Sequence, residues 1–331
     1  MTERTERLAQ VAHLYYEDNL NQDEIARRMG TSRSTVSRML QDAREAGVVE
    51  IIVHYPWKTV PELEADLSAR FGLRQASVLL GRGRPYEEIL RGLGVLAARY
   101  IESNLVQGTP PSSPPPLRGK GRILGISWGE AVYSTVRALR PDRRLPAGLQ
   151  LTVVQMVGAV GEGDPLIDGP DLARLLAGVY EGEYRYFHAP LIVEDARARE
   201  VLLQEPRIRE TLRLARRADV ALVGIGAPDP EVSSLLRAGY LDRGALAQLR
   251  TQGVVGDICA RHYDAQGSVL DIALNRRIVG IELEGLHDVE QVIGVAGGET
   301  KAAAILGALR GSHVNVLVTD DVTARKVLAL D

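Results

Sequence analysis

Lysine is rare in this chain: Lys58, Lys120, Lys301 and Lys326 are the only lysines among forty basic residues. Lys301 closes the run Val295-Ala296-Gly297-Gly298-Glu299-Thr300-Lys301. A glycine pair next to one cation at a helix start is built like a phosphate cradle. Equally, Gly297-Gly298 could only turn the chain while Thr300 caps the helix. Two further glycine turns follow apolar runs. In Gly125-Ile126-Ser127-Trp128-Gly129-Glu130 a strand, a turn and a helix succeed one another. The N–H groups of such a helix start meet anions, and Ser127 adds a hydroxyl. Val223-Gly224-Ile225-Gly226-Ala227 has the same form. None of these is a GxGxxG fingerprint or a Walker loop, and a tight turn around a structural Trp128 explains the first as well. Asp257, beside Gly256, and Asp264 are carboxylates that could accept hydroxyl hydrogens, or they could simply close surface turns.

A second constellation lies near the N-terminus. Residues 27–38 hold Arg27, Arg28, Arg33 and Arg38 and no acid, although residues 1–54 carry seven arginines against nine acids. The spacing predicts a first helix with Leu8, Val11, Ala12, Leu14 and Tyr15 on its apolar face. A second runs from an Asn21 cap to Met29, and a third from about Arg33 to Ala46. Ile25, Met29, Val36 and Met39 are expected in the small core, and Gly30 in the turn. This is a helix-turn-helix pattern. Ser32, Ser34, Thr35 and Ser37 supply hydroxyls around the start of the third helix, and Arg33 and Arg38 reach phosphates or guanine edges. A bare three-helix packing unit is the alternative. The arginine cluster and the β-branched run Val48–Val53, which could form a wing, favour double-stranded DNA.

Catalytic chemistry is harder to assemble. Cys259 is the only cysteine, which excludes a disulfide framework or a cysteine metal cluster. His188, His262, His287 and His313 lack metal-ligand spacing. Asp257, His262 and Glu299 have no diagnostic spacing as an acid–base set. No metal, cofactor or catalytic residue is therefore assigned.

The elements needed to position these groups fit a chain of 331 residues, 45% hydrophobic and 25% charged, long enough for two domains. Residues 1–55 form the expected DNA-binding domain and 56–331 the second. There, strands expected at Ala76–Leu80, Arg122–Ile126, Leu151–Val157, Val220–Ile225, Ile278–Ile281 and Val314–Val318 alternate with helices. The helices are expected at Pro61–Phe71, Tyr86–Leu105, Glu130–Leu139, Asp171–Tyr180, Arg207–Arg216 and Lys301–Leu309. Short continuous apolar strands between helices predict an α/β domain with a mainly parallel sheet. Residues 107–121, with five prolines between 107 and 116, read as a surface loop. A net charge of −3 argues against coating nucleic acid along the whole surface, but not against one basic edge. No apolar run reaches the ~20 residues of a membrane span. The charged N-terminus lacks a signal core, so the expectation is a cytoplasmic protein.

Taken together, several motifs resemble the sorbitol-operon regulator (SorC) family of bacterial transcription factors. They are Leu14-Tyr15-Tyr16, Gln22-Asp23-Glu24-Ile25-Ala26, Ser32-Arg33-Ser34-Thr35-Val36-Ser37-Arg38-Met39-Leu40 and Ala43-Arg44-Glu45-Ala46-Gly47-Val48-Val49. Gly125-Ile126-Ser127-Trp128-Gly129, Gly256-Asp257-Ile258, Gly297-Gly298-Glu299-Thr300-Lys301 and Thr319-Asp320-Asp321 continue the resemblance along nearly the whole chain. It implies a winged-type helix-turn-helix followed by an effector domain similar to sugar-phosphate isomerases. It also implies assembly as a tetramer and control by a sugar or phosphosugar. By position, the anion contacts fall on Ser127, Gly129, Gly224, Gly226 and Lys301. Two places depart from the family pattern. Glu130-Ala131 stand where a threonine usually follows Ser-Trp-Gly, and Gly158-Ala159, preceded by Met156-Val157, replace a Gly-Gly turn. A lost hydroxyl and an added carboxylate should weaken phosphate binding.

Overall fold

Asn21 starts the second helix of the chain. Its side-chain oxygen accepts the N–H groups of Asp23 (3.1 Å) and Glu24 (3.0 Å), while the Glu24 carboxylate accepts the Asn21 N–H at 2.8 Å. This reciprocal cap fixes the entry to the second helix. The computed structural model describes residues 3–49, 55–106, 121–140, 145, 150–161 and 167–331. It divides into two compact units, residues 1–56 and 57–331.

In the first unit α1 (Glu3–Tyr16), α2 (Gln22–Met29) and α3 (Arg33–Glu45) enclose Val11, Leu14, Ile25, Ala26, Val36 and Leu40. Gly30 takes a left-handed conformation at φ 62° between α2 and α3, and Ser32 caps α3 through the Thr35 N–H. Met29 and Met39, expected in this core, sit at its edge, and Leu40 takes the inner place. The reason is geometric: Val36, Leu40 and Ala43 form the buried stripe of α3. Val48 and Val49 pack near Leu8, Ala12 and Ala43. The remainder of the strand expected at Val48–Val53, and with it the wing, lies outside the described residues.

The second unit starts with α4 (Pro61–Phe71), β1 (Gln75–Leu79), α5 (Tyr86–Val106), β2 (Gly121–Ile126), α6 (Glu130–Ala138) and β3 (Gln150–Gln155). It continues with α7 (Gly169–Val179), β4 (Glu183–Arg185), α8 (Ala196–Gln204), α9 (Pro206–Ala215) and β5 (Val220–Gly224). Then come α10 (Ser234–Arg237), α11 (Arg243–Thr251), β6 (Gly256–Ile258), β7 (Arg261–Tyr263), β8 (Gln291–Val295), α12 (Ala302–Arg310), β9 (Val316–Asp320) and α13 (Asp321–Leu330). Seven strands pair in parallel in the order β1-β9-β8-β5-β2-β3-β4, and β6-β7 form a separate antiparallel hairpin. Alternate residues of each strand enter opposite cores. Val220 and Leu222 join Leu124, Ile126 and Val153 beneath α5, α6 and α7. Ala221 and Val223 join Met156 and Leu317 on the face covered by α4, α12 and α13. Burial on both faces explains the unbroken apolar strands.

The sequence expectation fails at Ile278–Ile281, which is no sheet strand. Its buried residues make isolated antiparallel bridges, Ile278 to Ile192 and Gly280 to Val157. The sheet position belongs to Gln291–Val295, whose Gln291 and Gly294 break the apolar signal. The proline-rich stretch at 107–120 lies outside the described residues. No helix among the described residues is long and apolar enough to cross a membrane.

Chain order reverses between β2 and β5. From β2 the sheet grows through β3 to β4, and from β5 it grows the other way through β8 and β9. A crevice opens beyond the carboxyl ends of strands at such a switch point.

Candidate functional site

A cavity of about 510 Å³, including its open mouth, occupies this switch point. Of the residues singled out from the sequence, Ser127, Gly129, Glu130, Gly224, Gly226, Asp257 and Lys301 all line it. The β2–α6 turn is fastened to β5 by the Ser127 N–H, which donates to the Leu222 carbonyl at 3.0 Å. Gly129 adopts φ 106° as the chain enters α6, a conformation open to glycine. No side chain caps α6, which leaves its first-turn N–H groups directed at the cavity end of the helix. Trp128 is buried in the core, as a structural side chain would be.

The opposite wall is the β6 strand. Gly226 and Asp257 exchange backbone hydrogen bonds of 2.8 and 3.1 Å. A Cβ at Gly226 would stand 2.1 Å from Asp257 Oδ1, so only glycine lets the two segments meet. Burial pushes the Asp257 carboxyl up, against the pull of His262, Lys301 and the Ala260 N–H. Cys259, also on the wall, has a thiol pushed up to about 12 by burial, assisted by Asp257. That thiol is inert.

Lys301 supplies the cation. It is 8% exposed, and no hydrogen bond or ion pair ties its ammonium to another described residue. Burial pushes the ammonium down, with Asp257 and Glu130 opposing and Arg237 reinforcing the shift. Glu130 does not add a bare negative charge, contrary to the expectation from sequence: its carboxylate pairs with Arg237 at 3.1 Å. The cavity is therefore bordered by a balanced Glu130–Arg237 pair and by a lysine without an ion-pair partner among the described residues.

Four candidate residues, Gly125, Gly297, Gly298 and Asp264, do not line the cavity. Gly125 faces Met156 within the core, where a Cβ would be 2.7 Å from its sulfur. Gly297 and Gly298 form the turn before Lys301. The Gly298 N–H donates to Asp320 Oδ2 at 2.8 Å, and a Cβ on Gly297 would approach that oxygen to 2.6 Å. Their geometry positions Lys301 rather than cradling an anion. Asp264 closes a surface turn by accepting the Gln266 and Ser268 N–H groups.

Sequence reasoning missed Tyr86, Arg237 and Asp320. Tyr86 lines the mouth, and its hydroxyl is pushed up by burial, then by Glu130 and Asp320, against Arg237. Asp320 is buried and also accepts the Thr323 N–H and hydroxyl. Asp321 holds Gly81 and Arg82 through their N–H groups. The Thr319-Asp320-Asp321 motif was visible in the sequence, but its partners are distant along the chain.

Asp257 and His262 stand opposite each other in the β6–β7 hairpin and each opposes the other's burial shift, but Glu299 is engaged elsewhere. His262 is buried against Asn275 (Nδ1 to Oδ1 3.1 Å), and Glu299 pairs with Lys326 at 2.9 Å.

The state of Lys301 gives a pH prediction. An anion bound beside it should draw a proton onto any neutral fraction. Affinity for a phosphate monoester should then fall as pH rises through the lowered lysine pKa, before the ordinary lysine range is reached. Affinity should also fall below about pH 6, where a phosphate monoester loses its second charge. Calorimetric titrations across pH 5–10 check both limbs, and a profile flat on the alkaline side contradicts the assignment.

In the first unit, Arg27, Arg28, Arg33 and Arg38 are all exposed, as are Ser32, Ser34, Thr35 and Ser37. Ser32 Oγ lies 2.9 Å from Ser34 Oγ and 2.8 Å from Thr35 Oγ1. Ser34 and Arg38 lie on the face of α3 opposite Val36, Leu40 and Ala43, with Ser37 exposed on its flank and Arg33 exposed in the first turn.

Comparison with known proteins agrees with these two units. Residues 55–329 match the Sugar-bind family of sugar-binding domains, and residues 5–46 match sigma-70 region 4. The chain is 34% identical over 327 residues to the transcriptional regulator LsrR of Klebsiella pneumoniae, covering 98% of this chain and 93% of that one. It is 31% identical over 319 residues to the deoxyribonucleoside regulator of Bacillus subtilis, covering 96% of each. The crystal structure of the full-length sorbitol operon regulator SorC from Klebsiella pneumoniae matches with a TM-score of 0.70 at 31% identity, covering 100% of both chains.

Proposed function

The chain belongs to the SorC family of transcription regulators, and on that premise we propose that it is a DNA-binding regulator whose operator affinity is set by a phosphosugar at the switch-point cavity. Residues 1–55 read the operator, with α3 entering the major groove and Arg33 and Arg38 reaching its edges. Residues 56–331 bind the effector. The observation that carries the effector reading is Lys301: a largely buried side chain whose ammonium has no hydrogen-bond or ion-pair partner among the described residues and lines the cavity with the uncapped start of α6. Backbone N–H groups and Ser127 meet the phosphate, Lys301 neutralises it, and Asp257 accepts sugar hydroxyls. The cavity is read as binding its ligand, in keeping with relatives that are named as regulators. Regulation follows if the effector binds the DNA-competent and DNA-incompetent states unequally.

Glu130 tests whether phosphate is part of the ligand. Replacing it with Thr removes a carboxylate and frees the Arg237 guanidinium that Glu130 holds. Glu130→Thr should raise affinity for ribose 5-phosphate or glucose 6-phosphate several-fold, below the full value of a buried charged hydrogen bond because the pair is part-exposed. Affinity for the free sugars should not rise. Isothermal titration with both forms decides it, and a gain for free sugar alone would remove phosphate from the reading.

One helix-turn-helix reads too few bases for useful specificity, so the working form is a homo-oligomer, proposed as a tetramer. Leu63 and Leu67 of α4 are already buried within the second unit, so α4 does not offer an apolar face for assembly. Light scattering at micromolar concentration should report more than a monomer, and a strict monomer with and without DNA would refute this.

A further inference from the structure

The sheet ends at β4, which has β3 on one side only, and all three of its residues are exposed. Tyr184, Tyr186 and His188 follow one another at alternate positions here. The two tyrosine rings lie 4.7 Å apart and the Tyr186 and His188 rings 6.1 Å apart. Across from this row runs α9, whose Thr211 hydroxyl donates to the Arg207 carbonyl at 3.0 Å and lies 3.5 Å from the Tyr186 carbonyl. The groove between them encloses about 860 Å³.

Its charge is one-sided. Arg207, Arg213 and Arg217 line it without an acidic partner among the described residues, while Arg185 pairs with Glu183 at 2.8 Å. Glu210 is the single acid among its lining residues. This concentration stands out on a chain whose net charge is −3. Unpaired guanidiniums recognise phosphate, and an exposed tyrosine face stacks a flat ring whatever its identity. None of these residues lines the switch-point cavity.

We propose that the β4–α9 groove is a second ligand site, for a nucleotide, with the base on the tyrosine row and the phosphate held by Arg207, Arg213 and Arg217. A second copy of the chain fits less well, because an isologous contact would bring two sets of these arginines, with a single Glu210 from each copy, into one interface.

The test is isothermal titration of the full-length chain with AMP, with adenosine and inorganic phosphate as partial ligands. AMP should bind, and each partial ligand should bind at least roughly tenfold more weakly. Arg213→Gln with Arg217→Gln, and separately Tyr184→Ala, should each weaken AMP by roughly tenfold or more. All three positions are exposed, and circular dichroism checks that the fold survives. Lys301→Met should leave AMP binding unchanged, which separates this site from the effector cavity. The inference is overturned if AMP gives no binding at millimolar concentration. It is overturned equally if the arginine pair is dispensable while Lys301→Met abolishes AMP binding, since the nucleotide then occupies the effector cavity. Dissociation of the oligomer by the arginine substitutions would make the groove an interface between copies. Loss of affinity for a random DNA duplex in the same variants, without AMP binding, would give it to nucleic acid instead.

Discussion

Lys301→Met should lower phosphosugar affinity by roughly one to two decades, the scale of one charged hydrogen bond. Methionine keeps most of the aliphatic stem, which is packed and buried in the native state. The substitution also removes the desolvation that pushes the ammonium down, so stability should hold or rise. Operator affinity without effector should be unchanged. Titrations of wild type and variant with a sugar phosphate measure the first effect, and operator binding by fluorescence anisotropy measures the second. A solvated, non-binding lysine predicts no shift in either.

Arg33→Ala and Arg38→Ala should each weaken operator binding by ~1–3 kcal/mol where the lost contact is bidentate to a base. Both side chains are exposed on α3, outside the core of Val11, Leu14, Ile25, Ala26, Val36 and Leu40, so the three-helix unit should remain folded. Titrations on operator and random duplexes distinguish two kinds of contact. Loss on the operator alone identifies base readout, whereas an equal loss on both, with a flatter salt dependence, identifies a phosphate contact. Unchanged affinity of the double variant on both duplexes would remove α3 from the DNA interface.

The local chemistry of this chain was legible because it acts over short spans. Asn21, Gly30 and Ser32 announce the helix boundaries that they cap. The turn at Ser127–Glu130 and the glycine at 226 reach the same cavity because each follows a parallel strand at the switch point. What sequence could not give was anything made by long-range pairing. The Glu130–Arg237 ion pair joins residues more than a hundred positions apart and reverses the expected effect of Glu130. Gly297-Gly298 looked like an anion cradle, yet the Gly298 N–H is already taken by Asp320. Ile278–Ile281 was apolar enough to pass for a strand, because a wholly buried connection and a buried strand share a composition. Strand Gln291–Val295 was overlooked for the converse reason. Gln291 is buried but satisfied, accepting the Tyr100 hydroxyl at 2.8 Å.

The central claim is that one ligand couples the switch-point cavity to DNA. The most direct measurement is the operator affinity of the full-length chain with and without a saturating sugar phosphate, chosen as the one that most raises the thermal midpoint of the wild type. The account predicts a change in operator affinity for the wild type and, at the same ligand concentration, little or none for Lys301→Met. A sugar phosphate that stabilises the protein strongly but leaves operator affinity the same would contradict it, because a ligand bound equally by both states shifts nothing.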